Sequence, residues 1–396
     1  MVQLKRGGFV TKQSFGIIIG GIFLMVIAMG ISRFAFTPVL PFMRQDLGLT
    51  FEAGSYLASS NYIGYFIGAL AAGFMYKKRK NVLIWSVLFN VFSVLLMGFV
   101  DAFSIWLLLR FVAGVTGGLM FVLTSSIVMD YLAQRQLSKW AGYLFSGIGL
   151  GIAISGLAVP FFVEQFDWQR AWIGLAIISA VLSITIAILW RQLDIPPLSR
   201  VPKTTDTTLM KGFMPWLIAA YGLEGLGYII TGTFLVDIVH HIPPLTQYAG
   251  YSWVIVGLAV VPSAPIWTML IEKYAAVTLL VGAYVLQIIG ILLPVWSQTV
   301  PSVLISAFLY GLTFVGIVTL TTSYARQQYP QQSGVVVSVL TTFYALGQII
   351  GPLIAGQLVA RYDNQLIALS FAGVVVIVAL MTMLIGKWIT RRTAST

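Results

Sequence analysis

The chain of 396 residues contains no cysteine, two histidines and few charged residues, which make up 9% of its composition. Without cysteine it has no disulfide, thiolate metal site or cysteine nucleophile, although this leaves its compartment open. So few charges cannot cover the surface of a soluble protein. Hydrophobic residues make up 59% of the chain, and its mean hydropathy is +0.93. The composition therefore indicates an integral membrane protein.

Long polar segments are also scarce, because apolar runs recur along nearly the whole chain. Each run has about 20 residues, enough to cross a bilayer core of roughly 30 Å. We predict an all-α integral membrane protein with twelve transmembrane helices, at approximately 15–40, 53–76, 81–100, 103–130, 137–163, 169–190, 213–236, 247–271, 275–296, 300–324, 333–359 and 364–388.

The net charge of +11 would suggest a nucleic-acid partner in a soluble protein. Here most of the 23 basic residues fall in segments that share one side of the membrane with both termini, whereas Arg44, Arg170 and Arg361 fall on the other side. Because cytoplasmic loops carry the excess of Lys and Arg, we expect both termini in the cytoplasm and no nucleic-acid partner.

The two parts of the chain resemble each other. Residues 191–211 contain three prolines and mixed charges, which predicts a cytoplasmic linker between two pseudo-symmetric six-helix halves, 1–190 and 212–396. The segment from Gly30 aligns with the segment from Gly225, which places Arg33 over Tyr228. Parallel repeats of this kind are typical of secondary transporters, whose substrate lies between the halves near the bilayer midplane.

Several motifs resemble those of the major facilitator superfamily. "RFVAGVTGG" in the fourth span is similar to its arginine and glycine motif, and "GQIIGPLIAG" in the eleventh to its Gly-Pro pattern. "GIGLGIAISG" in the fifth span resembles the exporter-associated glycine motif without its Gly-Pro pair. "SRFAFTPVLPFMRQDLGLT" is similar to the YbfB/YjiJ-type bacterial branch. The resemblance covers essentially the full chain and implies a transporter, monomeric, in the bacterial cytoplasmic membrane, with no substrate specified.

The resemblance also implies conformational and gate residues. The loop motif after the second span is present as "GFMYKKRK", with Gly73 and with Lys77 in place of the usual acid, and in the second half as "TMLIEK", with Glu272 and Lys273. Glycines at small-xxx-small spacing let helix backbones approach closely. They indicate either static packing or, as we favour for the set, smooth surfaces along which the halves rock. The glycines are Gly114, Gly118, Gly147, Gly151, Gly347 and Gly351, and the Gly-Pro pattern adds Pro352 to the conformational residues.

Three charged residues lie inside predicted spans, where a lone ion costs about 2.5–3.5 kcal/mol. Glu224 lies roughly 16 Å into the seventh span and Arg110 about 12 Å inside the fourth, by helix rise. Arg33 lies in the second half of the first span. We expect Glu224 to couple proton movement, since burial favours its neutral form and a nearby arginine its charged form. Arg110 either shares that role, as the resemblance implies, or bonds to helix carbonyls.

Arg33 is expected either to anchor an anionic group of the substrate or to pair with Glu224 when the site is empty; the alternative is a membrane-interface anchor. Further candidate substrate-binding residues lie on spans that line the cavity in the resembling family: Tyr228, Asn61, Tyr62, Tyr65, Tyr310, Tyr344 and Gln348. For each of these except Tyr228, the interface or core role is the stronger alternative. We predict no metal site, because His240 and His241 lie in a solvated loop without an evident third ligand.

The function that these residues favour is alternating-access secondary transport of a small organic solute, driven by a proton gradient without a cofactor, in the direction of efflux. Two arginines against one glutamate favour an anionic or zwitterionic substrate. Proton-coupled import and a non-transporting sensor stay open as alternatives. An enzyme is disfavoured, since the chain has no phosphate-binding glycine loop and no Ser-His-Asp or metal constellation.

Overall fold

A computed structural model describes residues 11–75, 78–193 and 211–394, and the regular structure in these ranges is helical. Lys77 and most of the predicted linker, 194–210, lie outside the described residues. The membrane helices are α1 Lys12–Leu47, α2 Phe51–Ala72, α3 Arg79–Leu96, α4 Phe103–Gln134, α5 Ser146–Gln165, α6 Trp168–Leu189, α7 Met214–His240, α8 Ala249–Ile271, α9 Ala276–Trp296, α10 Val300–Gln328, α11 Ser333–Tyr362 and α12 Leu366–Ala394.

The predicted twelve-helix architecture is confirmed, although one of the twelve helices is less apolar than the others. Within the described residues, eleven helices are long and apolar enough to cross a membrane, and α2 does not meet that criterion. Its polar residues Ser55, Ser59 and Asn61 are buried. Since α2 turns these polar groups toward other helices, its average hydropathy underestimates how well it fits a membrane bundle.

Helix α1 is longer than predicted and is irregular in its middle. The Thr11 side chain accepts a hydrogen bond from the Ser14 backbone N–H (3.1 Å) and caps the start, and Gly48, with a φ of 63°, ends the helix. Val26–Phe34 is π-helical between two α-helical parts. Such stretches are frequent at functional sites. This one contains Arg33.

We call α1–α6 the N half and α7–α12 the C half. The terminal side is the side of the bundle on which α1 begins and α12 ends; the opposite side is where α1 ends and α2 begins. Contacts within the N half are extensive between α2 and α4, and contacts within the C half between α7 and both α11 and α12. Across the halves, α5 packs on α8, α2 on α11, and the end of α1 on α7.

The motif glycines lie at helix contacts inside each half. A Cβ added to Gly114 or Gly118 in α4 would overlap the backbone of α2. The same holds for Gly147 and Gly151 against α1, and for Gly347 and Gly351 against α7. These contacts fit static packing, the alternative that we gave, and the rocking surface stays a prediction. Pro352 is buried in α11 beside them.

Different glycines lie where the halves meet. A Cβ on Gly149 of α5 would overlap the backbone of α8 near Gly257, and a Cβ on Gly356 of α11 would overlap Ser55 of α2. These residues allow the two halves to approach closely, because small side chains are what bring helices together in lipid.

Candidate functional site

Arg33 lies buried between the halves, with 3% of its surface exposed. Its guanidinium carbon is 4.7 Å from the ring centre of Tyr62 and 4.7 Å from that of Tyr65, both on α2. Its Nε and Nη2 atoms have no hydrogen-bond partner among the described residues. Such burial is not that of an interface anchor, since a snorkelling arginine exposes its charge to water.

Arg110 on α4 is bound to the backbone of the π-helical stretch. Its Nη1 donates to the Ser32 carbonyl (2.8 Å) and its Nη2 to the Arg33 carbonyl (3.4 Å). The guanidinium carbon also lies 4.6 Å from the ring centre of Phe36. The hydrogen bonds to helix carbonyls that we considered for Arg110 are therefore present, and its role in proton coupling stays a prediction.

Glu224 on α7 is fully buried and is held by an amide from the same half. Its Oε1 atom accepts a hydrogen bond from Gln287 Nε2 on α9 (2.9 Å), whereas Oε2 has no partner among the described residues. The ion pair with Arg33 that we expected for an empty site is not formed in this conformation. The reason is that Glu224 points toward α9, while Arg33 is enclosed by the rings of α2.

Between these two charges lies a set of stacked rings, which we call the aromatic layer. Tyr228 stacks on Tyr344 (5.3 Å between ring centres) and on Phe314 (5.7 Å), and Tyr344 stacks on Tyr221 (4.3 Å). The layer consists of Tyr221, Tyr228, Tyr310, Phe314 and Tyr344. It belongs to three helices of the C half, α7, α10 and α11.

Two predicted binding residues position the aromatic layer. Gln348 donates from Nε2 to the Tyr228 hydroxyl (2.5 Å), and the Tyr310 hydroxyl donates to the Tyr228 carbonyl (3.1 Å). Tyr344, in contrast, is buried with a hydroxyl that lacks a partner among the described residues. The structure therefore brings Tyr228, Tyr310, Tyr344 and Gln348 together.

The candidates on α2 separate into two groups. The Tyr62 hydroxyl is 2.8 Å from the Thr233 hydroxyl of α7, so this ring joins the halves beside Arg33. Asn61 instead donates from Nδ2 to the Arg110 carbonyl (2.9 Å) inside the N half. The Asn61 amide is therefore directed at α4, away from the aromatic layer, unlike our expectation for a binding residue.

Two buried amides were missed by the sequence analysis. Gln287 holds Glu224, and Asn90 of α3 donates to Ser32 Oγ (2.9 Å), to the Ala113 carbonyl (3.1 Å) and to Thr116 Oγ1 (2.8 Å). The available signal was an uncharged amide within an otherwise apolar span, which needs an internal partner in a membrane.

The loop residues predicted as a gate on the terminal side are not joined to each other. Glu272 and Lys273 are exposed and form no ion pair with a described residue, and Gly73 is exposed at the end of α2. An ion pair does lie on this side, between Arg79 Nη1 and Asp130 Oδ2 (2.7 Å). Asp130 thus links α4 to the start of α3.

A second ion pair closes the opposite side of the bundle. Asp237, fully buried in the last turns of α7, pairs with Arg44 in the last turn of α1. His241 Nδ1 lies 3.5 Å from Asp237 Oδ1, and the His240 ring is edge-on to Phe42 at 5.2 Å. His240 therefore lies at a contact between the halves, whereas His241 is exposed, as expected for a solvated segment, and contacts Asp237 of its own half.

Comparison with known proteins identifies the family. Residues 25–384 match the model of the family described as "Uncharacterised MFS-type transporter YbfB". The chain belongs to this family. It is therefore a transporter of the major facilitator superfamily, MFS, which consists of multi-pass integral membrane proteins, not enzymes.

Relatives of known name are distant but cover nearly the whole transporter. The multidrug resistance protein MdtG of Klebsiella pneumoniae is 23% identical over 88% of both chains. The quinolone resistance protein NorA of Staphylococcus aureus is 23% identical over 93% of this chain and 96% of its own.

Solved structures show the same fold. A mutant of the nucleoside transporter NupG has a TM-score of 0.72 at 14% identity and covers 96% of this chain and 99% of its own. A bacterial homolog of the human lysosomal transporter Spinster, inward-facing and unoccupied, has a TM-score of 0.73 at 12% identity, covering 97% and 99%. At these identities the likeness concerns the fold alone.

Proposed function

We propose that this MFS transporter is a proton-coupled secondary transporter that exports a small organic solute from the bacterial cytoplasm by alternating access. The observation that carries the proposal is Glu224, a fully buried carboxyl group that has an amide partner and no basic one. A charge at this depth costs about 2.5–3.5 kcal/mol unless water or a cation compensates for it. Glu224 would therefore change its affinity for a proton whenever the site changes between dry and hydrated surroundings.

Contacts between the halves support alternating access. On the opposite side, the Thr37 hydroxyl donates to the Gly232 carbonyl (2.6 Å), the Phe51 and Phe234 rings stack at 4.0 Å, and Arg44 pairs with Asp237. These contacts would have to break for a solute to pass that side. The positive-inside rule predicts that the terminal side is cytoplasmic, and with that orientation this conformation is closed toward the outside.

The names of the relatives support export as the direction. MdtG is a multidrug resistance protein and NorA a quinolone resistance protein, and both cover most of this chain. The small number of hydrogen bonds that tie Glu224 in place also fits a residue that is released during a cycle. We further propose that the transporter is a monomer in the cytoplasmic membrane, with the proton gradient as its energy source.

The test is substrate-triggered proton flux in liposomes. The purified transporter is reconstituted, a pH gradient is imposed, and internal pH is recorded while pools of anionic, zwitterionic and cationic metabolites and drugs are added. We expect one pool to trigger flux in the wild type and in Glu164→Gln, an exposed matched control, but not in Glu224→Gln. Equal flux in Glu224→Gln would refute coupling at this residue. Silence from every pool would contradict proton-coupled transport.

A further inference from the structure

Arg33 differs from the other buried charged residues of the described chain in having no polar partner. Arg79 pairs with Asp130, Asp237 with Arg44, and Glu224 accepts from Gln287. Arg110 donates to two backbone carbonyls. Arg33 makes no side-chain hydrogen bond to a described residue, although all but 3% of its surface is covered. Removing one partner of a buried charge pair is costly, so a guanidinium in this position calls for a counter-charge.

Aromatic rings supply the partial compensation that Arg33 does have. The faces of Tyr62 and Tyr65 attract its positive charge, and Phe34 adds a third ring at 5.3 Å. Contact with a ring face does not use the N–H groups of the guanidinium in directed hydrogen bonds. The guanidinium therefore keeps its paired N–H groups available in the geometry that binds a carboxylate through two parallel bonds.

The surroundings of Arg33 on the C half are aromatic and contain a hydroxyl group without a partner. The Phe34 ring, 5.3 Å from the Arg33 guanidinium carbon, lies edge-on to Phe314 of the aromatic layer at 6.0 Å. The Tyr344 hydroxyl has no hydrogen-bond partner in the described chain, and Gln348 lies beside Tyr228. Stacked rings bind a flat apolar body well, because offset stacking adds to the burial of apolar surface.

We propose that Arg33 is the anchor for the carboxylate of an aromatic organic anion, whose ring lies against the aromatic layer. The inference rests on the proposed transport function and specifies its substrate class. The carboxylate is held by the N half through Arg33, and the ring by the C half through Tyr228 and Tyr344. Such a ligand spans both halves, so it stabilises the conformation in which they meet around it.

Binding measurements in nanodiscs test this assignment without requiring transport. The probes are 2-naphthoate, 2-naphthamide, which keeps the ring and lacks the charge, and (2-naphthyl)methylammonium, which reverses the charge. We expect wild type to bind 2-naphthoate at least tenfold more tightly than either of the other two by isothermal titration calorimetry. We also expect benzoate to bind more tightly than cyclohexanecarboxylate, since only benzoate presents a ring that can stack.

The variants Arg33→Gln and Arg33→Lys should lose the preference for naphthoate over naphthamide, fully in the first and partly in the second. The matched control is Arg135→Gln, because Arg135 also lies over a tyrosine ring, Tyr131 at 3.7 Å, but is exposed at the end of α4. If Arg33→Gln does not fold, the wild-type probe series and Arg33→Lys decide the question. An absence of naphthoate binding, or a preference that survives in Arg33→Gln, would overturn the proposal.

The outcome separates this inference from the proposed function. Naphthoate binding that needs Arg33, without proton-linked flux of any pool, would leave the anchor in place and refute proton-coupled transport. Proton-linked flux that a cationic pool triggers, and that is unchanged in Arg33→Gln, would support proton-coupled transport and refute the role of Arg33 as a carboxylate anchor.

Discussion

The ion pair between Arg44 and Asp237 offers the sharpest test of how the halves are held together. The pair joins the last turn of α1 to the last turns of α7 across the closed opposite side. We therefore predict that Asp237→Asn shifts the conformational equilibrium toward opening on that side. The substitution keeps the size and one acceptor oxygen of the side chain but removes its charge.

The size of the shift follows from burial. Removing one partner of a fully buried pair costs about 3–5 kcal/mol. Here the Arg44 side chain is 12% exposed, and its Nε also donates to the Leu49 carbonyl (3.2 Å), so the orphaned charge keeps some stabilisation. We expect a smaller cost of about 1.5–3 kcal/mol, which corresponds to a change of roughly 10- to 150-fold in the ratio of closed to open states.

The absence of cysteine makes the measurement direct. Cysteines introduced at Tyr56 on α2 and Tyr362 on α11 lie in different halves on the opposite side, and both positions are exposed. Spin labels there report the separation of the halves by double electron–electron resonance. Asp237→Asn should raise the population at long distance.

The control is Asp167→Asn, which removes an exposed ion pair with Arg170 inside the N half. Asp167 also caps α6, and since asparagine caps helices about as well, this variant removes the charge pair without touching a contact between the halves. An unchanged distance distribution in Asp237→Asn, or an equal shift in Asp167→Asn, would refute the reasoning.

Two further predictions concern stability and use thermal melting of the purified protein in detergent. Gly114→Ala should lower the melting temperature by several degrees, because the added methyl group would overlap the Asn61 carbonyl. Gly142→Ala should not lower it, because Gly142 has open space around it. Equal melting temperatures of the two variants would contradict the packing argument. Gln287→Leu should cost about 1–3 kcal/mol by leaving Glu224 without its donor, and Glu224→Leu/Gln287→Leu should recover part of the loss. A double variant no more stable than Gln287→Leu would show that the hydrogen bond is not the cause.

Hydropathy could predict the helices because it is a local property. A helix such as Phe103–Gln134 needs about 20 apolar residues to cross the membrane, whatever its neighbours in the bundle. The number of membrane helices can therefore be counted from the sequence alone. The start and end of each helix were less well predicted. Helix α1 continues to Leu47, well beyond the predicted end, because its last turn is polar and largely exposed, so hydropathy does not detect it. Arg44 in that turn pairs with Asp237 of α7.

The partners of the buried charges could not be predicted in the same way. Glu224, Arg33 and Arg110 were recognised because a charge inside an apolar run is conspicuous. One of our expectations for Arg33 was a pair with Glu224 in the empty site. That expectation did not include the side chain of Gln287, 63 positions away from Glu224 in the chain, which draws the carboxyl group toward α9.

The sequence by itself determined the membrane environment, the twelve helices, the family and the small set of intramembrane charges, since each depends on composition or on neighbours along the chain. Only the tertiary structure decided which charges are paired. Arg110 contacts the carbonyls of α1, Asp237 pairs with Arg44, and Arg33 lies against the rings of Tyr62 and Tyr65, and each contact joins different helices. The physical reason is that a hydrogen bond or ion pair depends on atoms within about 3–4 Å, and the packing of helices, which glycines permit, brings those atoms together.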